Sequence, residues 1–109
     1  MPAIVRFSPQ PATLCCSGDE DVTTQGCRRG ALSRALTAER DLHVDLRDLH
    51  FADASLMLDL VMVSGRLRKA GHRMVLHAPQ PQIWRLIEAV GLHRLPGVTV
   101  QSSAAPALA

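Results

Sequence analysis

Aromatic side chains are nearly missing from this 109-residue sequence, which has one Trp, two Phe and no Tyr. Such a chain offers no platform on which successive bases could stack, and a formal charge of +2 gives little pull on a phosphate backbone. Nucleic acid is therefore not an expected partner. Long apolar runs are lacking as well: none reaches the ~18 residues of a membrane span, so no membrane contact is expected. The first residues, Met1-Pro2-Ala3-Ile4-Val5-Arg6-Phe7, have neither the basic lead nor the apolar stretch of a signal peptide, which predicts a cytoplasmic protein. Three cysteines, Cys15, Cys16 and Cys27, do not make a disulfide framework, and neighbours such as Cys15 and Cys16 on a strand point to opposite faces. The five histidines are scattered without the spacing of a metal motif, so neither a metal nor a cofactor is expected.

What is there is an ordinary globular composition, 47% apolar and 20% charged, of a length that suits one domain. That domain is expected over residues 1–100, with 101–109 a flexible C-terminal tail of small and polar residues. Ala3 to Phe7 and Ala12 to Ser17 read as strands, separated by the turn Ser8-Pro9-Gln10-Pro11. Gly18-Asp19-Glu20-Asp21 reads as an acidic loop. The helix after it, up to about Arg40, carries the apolar stripe Cys27, Ala31, Leu32, Ala35 and Leu36. Leu42-His43-Val44-Asp45-Leu46 alternates with period two, as a half-buried strand does. Ala54 to about Lys69 is helical, with Leu56, Leu60, Val63, Leu67 and Ala70 on the core side. A strand over Arg73 to His77, a helix opened by Pro81 and stopped at Gly91-Leu92, and a last strand at Val98 to Val100 complete the series. Strands alternating with helices predict an α/β fold. Its mixed, largely parallel sheet of four to five strands would pack against about three main helices, the first strand being free to run antiparallel.

Chemistry concentrates at Phe51-Ala52-Asp53-Ala54-Ser55, where a strand feeds the longest helical pattern. Asp53 falls at the N-cap position, which puts the Ser55 hydroxyl in the first turn, beside unpaired backbone N–H groups and the positive end of the helix dipole. Taken alone, both residues read as caps. The outer side of the same helix, however, carries Ser55, Asp59, Met62, Arg66 and Lys69 with Leu58 beside them, and solvation does not require such a mixed polar and apolar strip. Arg28 and Arg29 on the preceding helix read either as a solvated face or as part of a partner-binding surface.

In this order and spacing, Leu14-Cys15-Cys16-Ser17-Gly18-Asp19-Glu20-Asp21, Val44-Asp45-Leu46, Phe51-Ala52-Asp53-Ala54-Ser55-Leu56, Gly71-His72-Arg73-Met74-Val75-Leu76 and Ile83 to Leu95 resemble a STAS domain. The resemblance is to the small single-domain antagonists of bacterial anti-sigma factors. It implies that Ser55 is the residue a partner kinase phosphorylates, with Asp53 and Asp21 as the acidic residues beside it. It further implies an unmodified form that binds an anti-sigma factor, itself an ATP-dependent serine kinase, and so releases a sigma factor. Phosphorylation would block that binding and a phosphatase would restore it. Leu58, Asp59, Met62, Arg66, Arg28 and Arg29 are the expected partner-binding residues. Three positions depart from the family pattern: Ala54 stands where serine is frequent, Leu56 where glycine is usual and Glu20 where an apolar residue is normal.

A constitutive adaptor within a larger signalling or transport complex, with Ser55 only a cap, is the alternative. Catalysis by Ser55 with the His43/Asp45 pair is a third reading. It finds no nucleophile elbow, no flanking glycines and no phosphate loop, so the chain is not expected to be an enzyme.

Overall fold

The computed structural model describes residues 4–9, 11–19, 29–52 and 54–101. Its strands are β1 (Ile4–Pro9), β2 (Ala12–Asp19), β3 (Leu42–Phe51), β4 (Met74–His77) and β5 (Val98–Gln101). Between them lie α1 (Arg29–Thr37), α2 (Ala54–Lys69) and α3 (Pro81–Val90), with a 3₁₀ turn at Leu92–Arg94. The strands form one sheet in chain order, β1 antiparallel to β2 and the other three pairings parallel. This is the expected mixed, largely parallel α/β arrangement.

Three successive parallel crossovers that all step the same way across a sheet must, being right-handed, leave their helices on one face. Strand alternation agrees with that rule. Ala12, Leu14, Cys16, Leu42, Val44, Leu46, Met74 and Leu76 point into one buried cluster with Leu32 and Ala35 of α1, Leu56, Met57, Leu60, Val63 and Leu67 of α2, and Ile83 and Ile87 of α3. The expected core stripe of α2 holds except at Ala70, which is exposed in the turn that ends the helix. There Gly71, at φ +83°, takes the left-handed conformation, while its N–H bonds to the carbonyl of Arg68 and that of His72 to Leu67. Gly91 at φ +75° ends α3 in the same way, with Leu92 fully buried behind it.

β1 runs on through Ser8 and Pro9, paired with Thr13 and Ala12, where the sequence predicts a turn, and two later elements are also longer than the sequence pattern indicates. β3 continues past Leu46 to Phe51, and Gly18 and Asp19 extend β2 rather than forming a loop. The cause is a β-bulge. Cys15 pairs with Asp45 but Ser17 pairs with Asp48, so β3 carries one extra residue there and another between Leu49 and Phe51, which pair with Gly18 and Asp19; Leu46 and Leu49 both reach the core although they stand three apart. Asp45 stabilises the irregularity: Oδ1 accepts the Arg47 N–H at 3.2 Å, and Arg47 Nε lies 3.1 Å from Oδ2. At the other end of the chain Gln101, expected to open a tail over 101–109, belongs to β5. Residues 102–109 lie outside the described residues.

The opposite face of the sheet carries a polar row. His43 Nδ1 lies 2.9 Å from His77 Nε2 with the rings stacked at 5.1 Å, and Asp45 pairs in register with His77. Burial, followed by repulsion from His43, holds the His77 pKa below the ordinary 6.5, and Asp45 and Gln101 only partly oppose this. A folded-state pKa below the unfolded value means that the native chain binds fewer protons. The associated stability is complete above pH 6.5 and is lost as pH falls through the lowered pKa.

Two predictions concern this scaffold. Leu60 is fully buried and Leu58 is 56% exposed on the same helix. Urea denaturation should show a loss of about 2–5 kcal/mol for Leu60→Ala and within about 0.5 kcal/mol of wild type for Leu58→Ala. The second concerns pH. Urea midpoints should fall between about pH 7.5 and about pH 5 in the wild type, and His77→Gln should flatten that dependence; an unchanged slope would remove His77 as its source.

Candidate functional site

The position of Ser55 follows from how β3 ends. The bulge keeps Leu49 in the core, Ala52 is also buried, and α2 starts at Ala54, so Ser55 is the second residue of a 16-residue helix. No acidic side chain occupies that helix's first turn, whereas Arg66, Arg68 and Lys69 occupy its last. The basic residues complement the negative end of the dipole, and Ser55 lies at its positive end. Leu56 is fully buried. It turns into the core about 100° round the helix from Ser55, so its bulk does not cover the hydroxyl.

α1 lies alongside α2, and the two enclose a groove of about 430 Å³. From α1 it is lined by Arg29, Leu32, Ser33 and Leu36, and from α2 by Ser55, Asp59, Met62 and Arg66. A second hollow is lined by Leu36 and Glu39 together with Arg66, Leu67 and Ala70. The late residues of both helices therefore meet at one end, and the helices run side by side in the same direction. Arg29 thus stands at the Ser55 end of the groove and Leu36 at the Arg66 end. The floor and middle are apolar, the rim carries hydroxyls and one carboxylate, and a guanidinium sits at each end.

Ser55, Asp59, Met62, Arg66 and Arg29 thus line one surface. Met62, 47% exposed, belongs to it, while Leu58 stands on the outer flank of α2 beside it. Asp53, Asp21 and Arg28 lie outside the described residues. Leu32, Ser33 and Leu36 were not singled out from sequence as site residues. Their i, i+1, i+4 spacing was visible, but which helix would lie against α1 was not.

The groove combines apolar side chains with hydroxyls, one carboxylate and two guanidiniums. Its described lining contains no histidine or cysteine to activate the hydroxyl. His43 is the second residue of β3 and bonds to His77, and its partner on β2, Thr13, stands six residues before Asp19, the partner of Phe51, about 20 Å at 3.3 Å per residue. The His43/Asp45 pair therefore cannot serve Ser55. Among the described residues no group of three or more His, Cys, Asp or Glu is placed to hold a metal ion, and no helix is long and apolar enough to cross a membrane. Cys15 is exposed and Cys16 buried, as opposite faces require, and partial desolvation followed by the Asp45 carboxylate pushes the Cys15 thiol up. Another hollow, of about 460 Å³, is lined by Pro79, Pro81, Trp84 and Val100, and no titratable group lines it.

Similarity to known proteins agrees with this architecture. A solved structure of the anti-sigma factor antagonist SpoIIAA in its unphosphorylated form superposes with a TM-score of 0.66 at 17% identity, over 91% of this chain and 87% of that one. An anti-sigma-factor antagonist (STAS) domain protein from Planctomyces limnophilus gives a TM-score of 0.70 at 13% identity, over 93% and 91%. At such identities the likeness establishes the fold. No curated protein matches the sequence. A family model described as Mlab, STAS domain matches residues 4–100. By that match and by its fold, the chain belongs to the STAS domain family.

Proposed function

We propose that this chain is an anti-sigma factor antagonist, a regulatory binding protein switched at Ser55. In the unphosphorylated form it binds an anti-sigma factor that is an ATP-dependent serine kinase, and a sigma factor is thereby released. Phosphorylation of Ser55 ends the binding, and a phosphatase restores it. The observation that carries this reading is the placement of Ser55 at the mouth of a groove whose neighbouring surface exposes Met62 and Leu58. Asp53 and Asp21 are assigned to the acidic surround of the phosphoacceptor on the motif alone, and Arg28 to the partner surface in the same way.

The switch has a simple electrostatic basis. A phosphate adds about 1.5 to 2 negative charges. At the N-terminus of α2 the folded chain accommodates that charge. A partner seated over Leu58 and Met62 would have to desolvate it, at a cost of several kcal/mol for an unpaired ion. Affinity is expected to fall while the fold persists. The second reading, a constitutive adaptor in a signalling or transport complex, uses the same groove without modification. Ala54 and the stiff first turn that buried Leu56 gives α2 favour it.

Affinity capture from the source cell with wild type, Ser55→Asp and Met62→Asp separates the two. The switch predicts that wild type recovers an ATP-binding anti-sigma factor, that both variants lose at least about tenfold in affinity, roughly 1.4 kcal/mol, and that mass spectrometry finds phosphate on Ser55. Equal recovery by wild type and Ser55→Asp, with Ser55 unmodified, would establish the adaptor instead.

A further inference from the structure

We propose that Arg29 is an internal receptor for the phosphate on Ser55, so that phosphorylation closes the groove from within as well as charging it. The inference rests on Ser55 being the phosphoacceptor and adds how the modified residue is held. Its basis is the parallel course of α1 and α2, which brings the first described residue of α1 to the same end of the groove as the second residue of α2.

Among the described residues, the charges facing that end favour one arrangement. Arg29 is exposed and forms no ion pair with another described residue. Arg66 is eleven residues along α2, about 16 Å at 1.5 Å per residue, and is out of reach of a phosphate at Ser55. Asp59 stands one turn along the same face as Ser55 and repels the phosphate along the helix. Ser33, one turn beyond Arg29 on α1, is uncharged. The phosphate is thus pushed from α2 and drawn toward α1, where a planar guanidinium can engage two of its oxygens. The resulting tie spans the Ser55 end of the groove, so a partner seated there would have to displace it. In the unphosphorylated chain the same arginine lines the groove that a partner would enter.

Phosphorus NMR tests the tie without any kinase. The full chain is made with phosphoserine incorporated at position 55, and the second ionisation of the phosphate is followed against pH. That ionisation ordinarily falls near pH 6. In the wild-type background it is expected below that value. Arg29→Ala and Arg29→Gln should each raise the proton affinity of the phosphate at least about threefold, with Arg29→Lys between them and wild type. Arg34→Ala serves as the control, because Arg34 is on α1 but faces a different hollow with Phe7 and Pro9. The same titration in wild type, Arg29→Ala and Arg29→Gln would overturn the proposal. That failure is distinct from failure of the functional reading: if Ser55 is never phosphorylated in the cell, the switch is lost while the titration result stands.

Discussion

The surface that α2 presents is decided by the side it buries. Leu56, Leu60, Val63 and Leu67 sit within the sheet-facing core at 0–2% exposure, which fixes the rotation of the helix about its axis. With that rotation set, Ser55, Asp59, Met62 and Arg66 have only one direction to face, and the right-handed crossover through α1 places another helix beside them. The groove is thus a consequence of one-sided packing on a sheet whose strands follow chain order. Truncation in the core should disturb the groove through the rotation of α2, whereas changes at the groove should leave the fold intact.

The two faces of the sheet separate two kinds of titratable chemistry. The His43–His77 pair and Asp45 lie on the face without helices and bear on stability, through a buried imidazole that resists protonation. Ser55 and the groove lie on the helical side, beyond the far end of β3 from His43. A pH effect on folding and a charge effect on binding can therefore be measured independently. Asp45 has a further part in organising the molecule: its carboxylate satisfies the Arg47 N–H at the bulge, and the bulge delivers the end of β3 to the start of α2.

Much of this was legible in the sequence because it depended on local period. The alternation of Leu42 to Leu46, the 3.6-residue spacing of α2 and α3 and the Gly91-Leu92 stop all survive in the structure. The far end of β3 was hidden because a bulge breaks the alternation that identifies a strand. The alternation of Leu42 to Leu46 breaks at Arg47-Asp48, and pairing with β2 is what shows the residues beyond to be ladder. The groove was half legible. Its α2 wall was visible as an amphipathic strip with unexplained apolar residues, but its α1 wall was read as core, since Leu32 and Leu36 serve both purposes. Contacts between helices distant in sequence leave no periodic trace. The Gln80 and Gln82 side chains, which tie the start of α3 to the Arg47 and His50 carbonyls, were missed for the same reason.

The central claim is that the α1–α2 groove is where the partner sits and that Ser55 controls its occupancy. The most direct measurement is site-specific photo-crosslinking in the source cell, from a probe at Met62 within the groove and from a probe at exposed Thr99 on β5. The account predicts a crosslinked partner from position 62, none from position 99, and loss of the first when Ser55→Asp is introduced. Crosslinks from position 99, or crosslinks from position 62 that persist undiminished in Ser55→Asp, would contradict it.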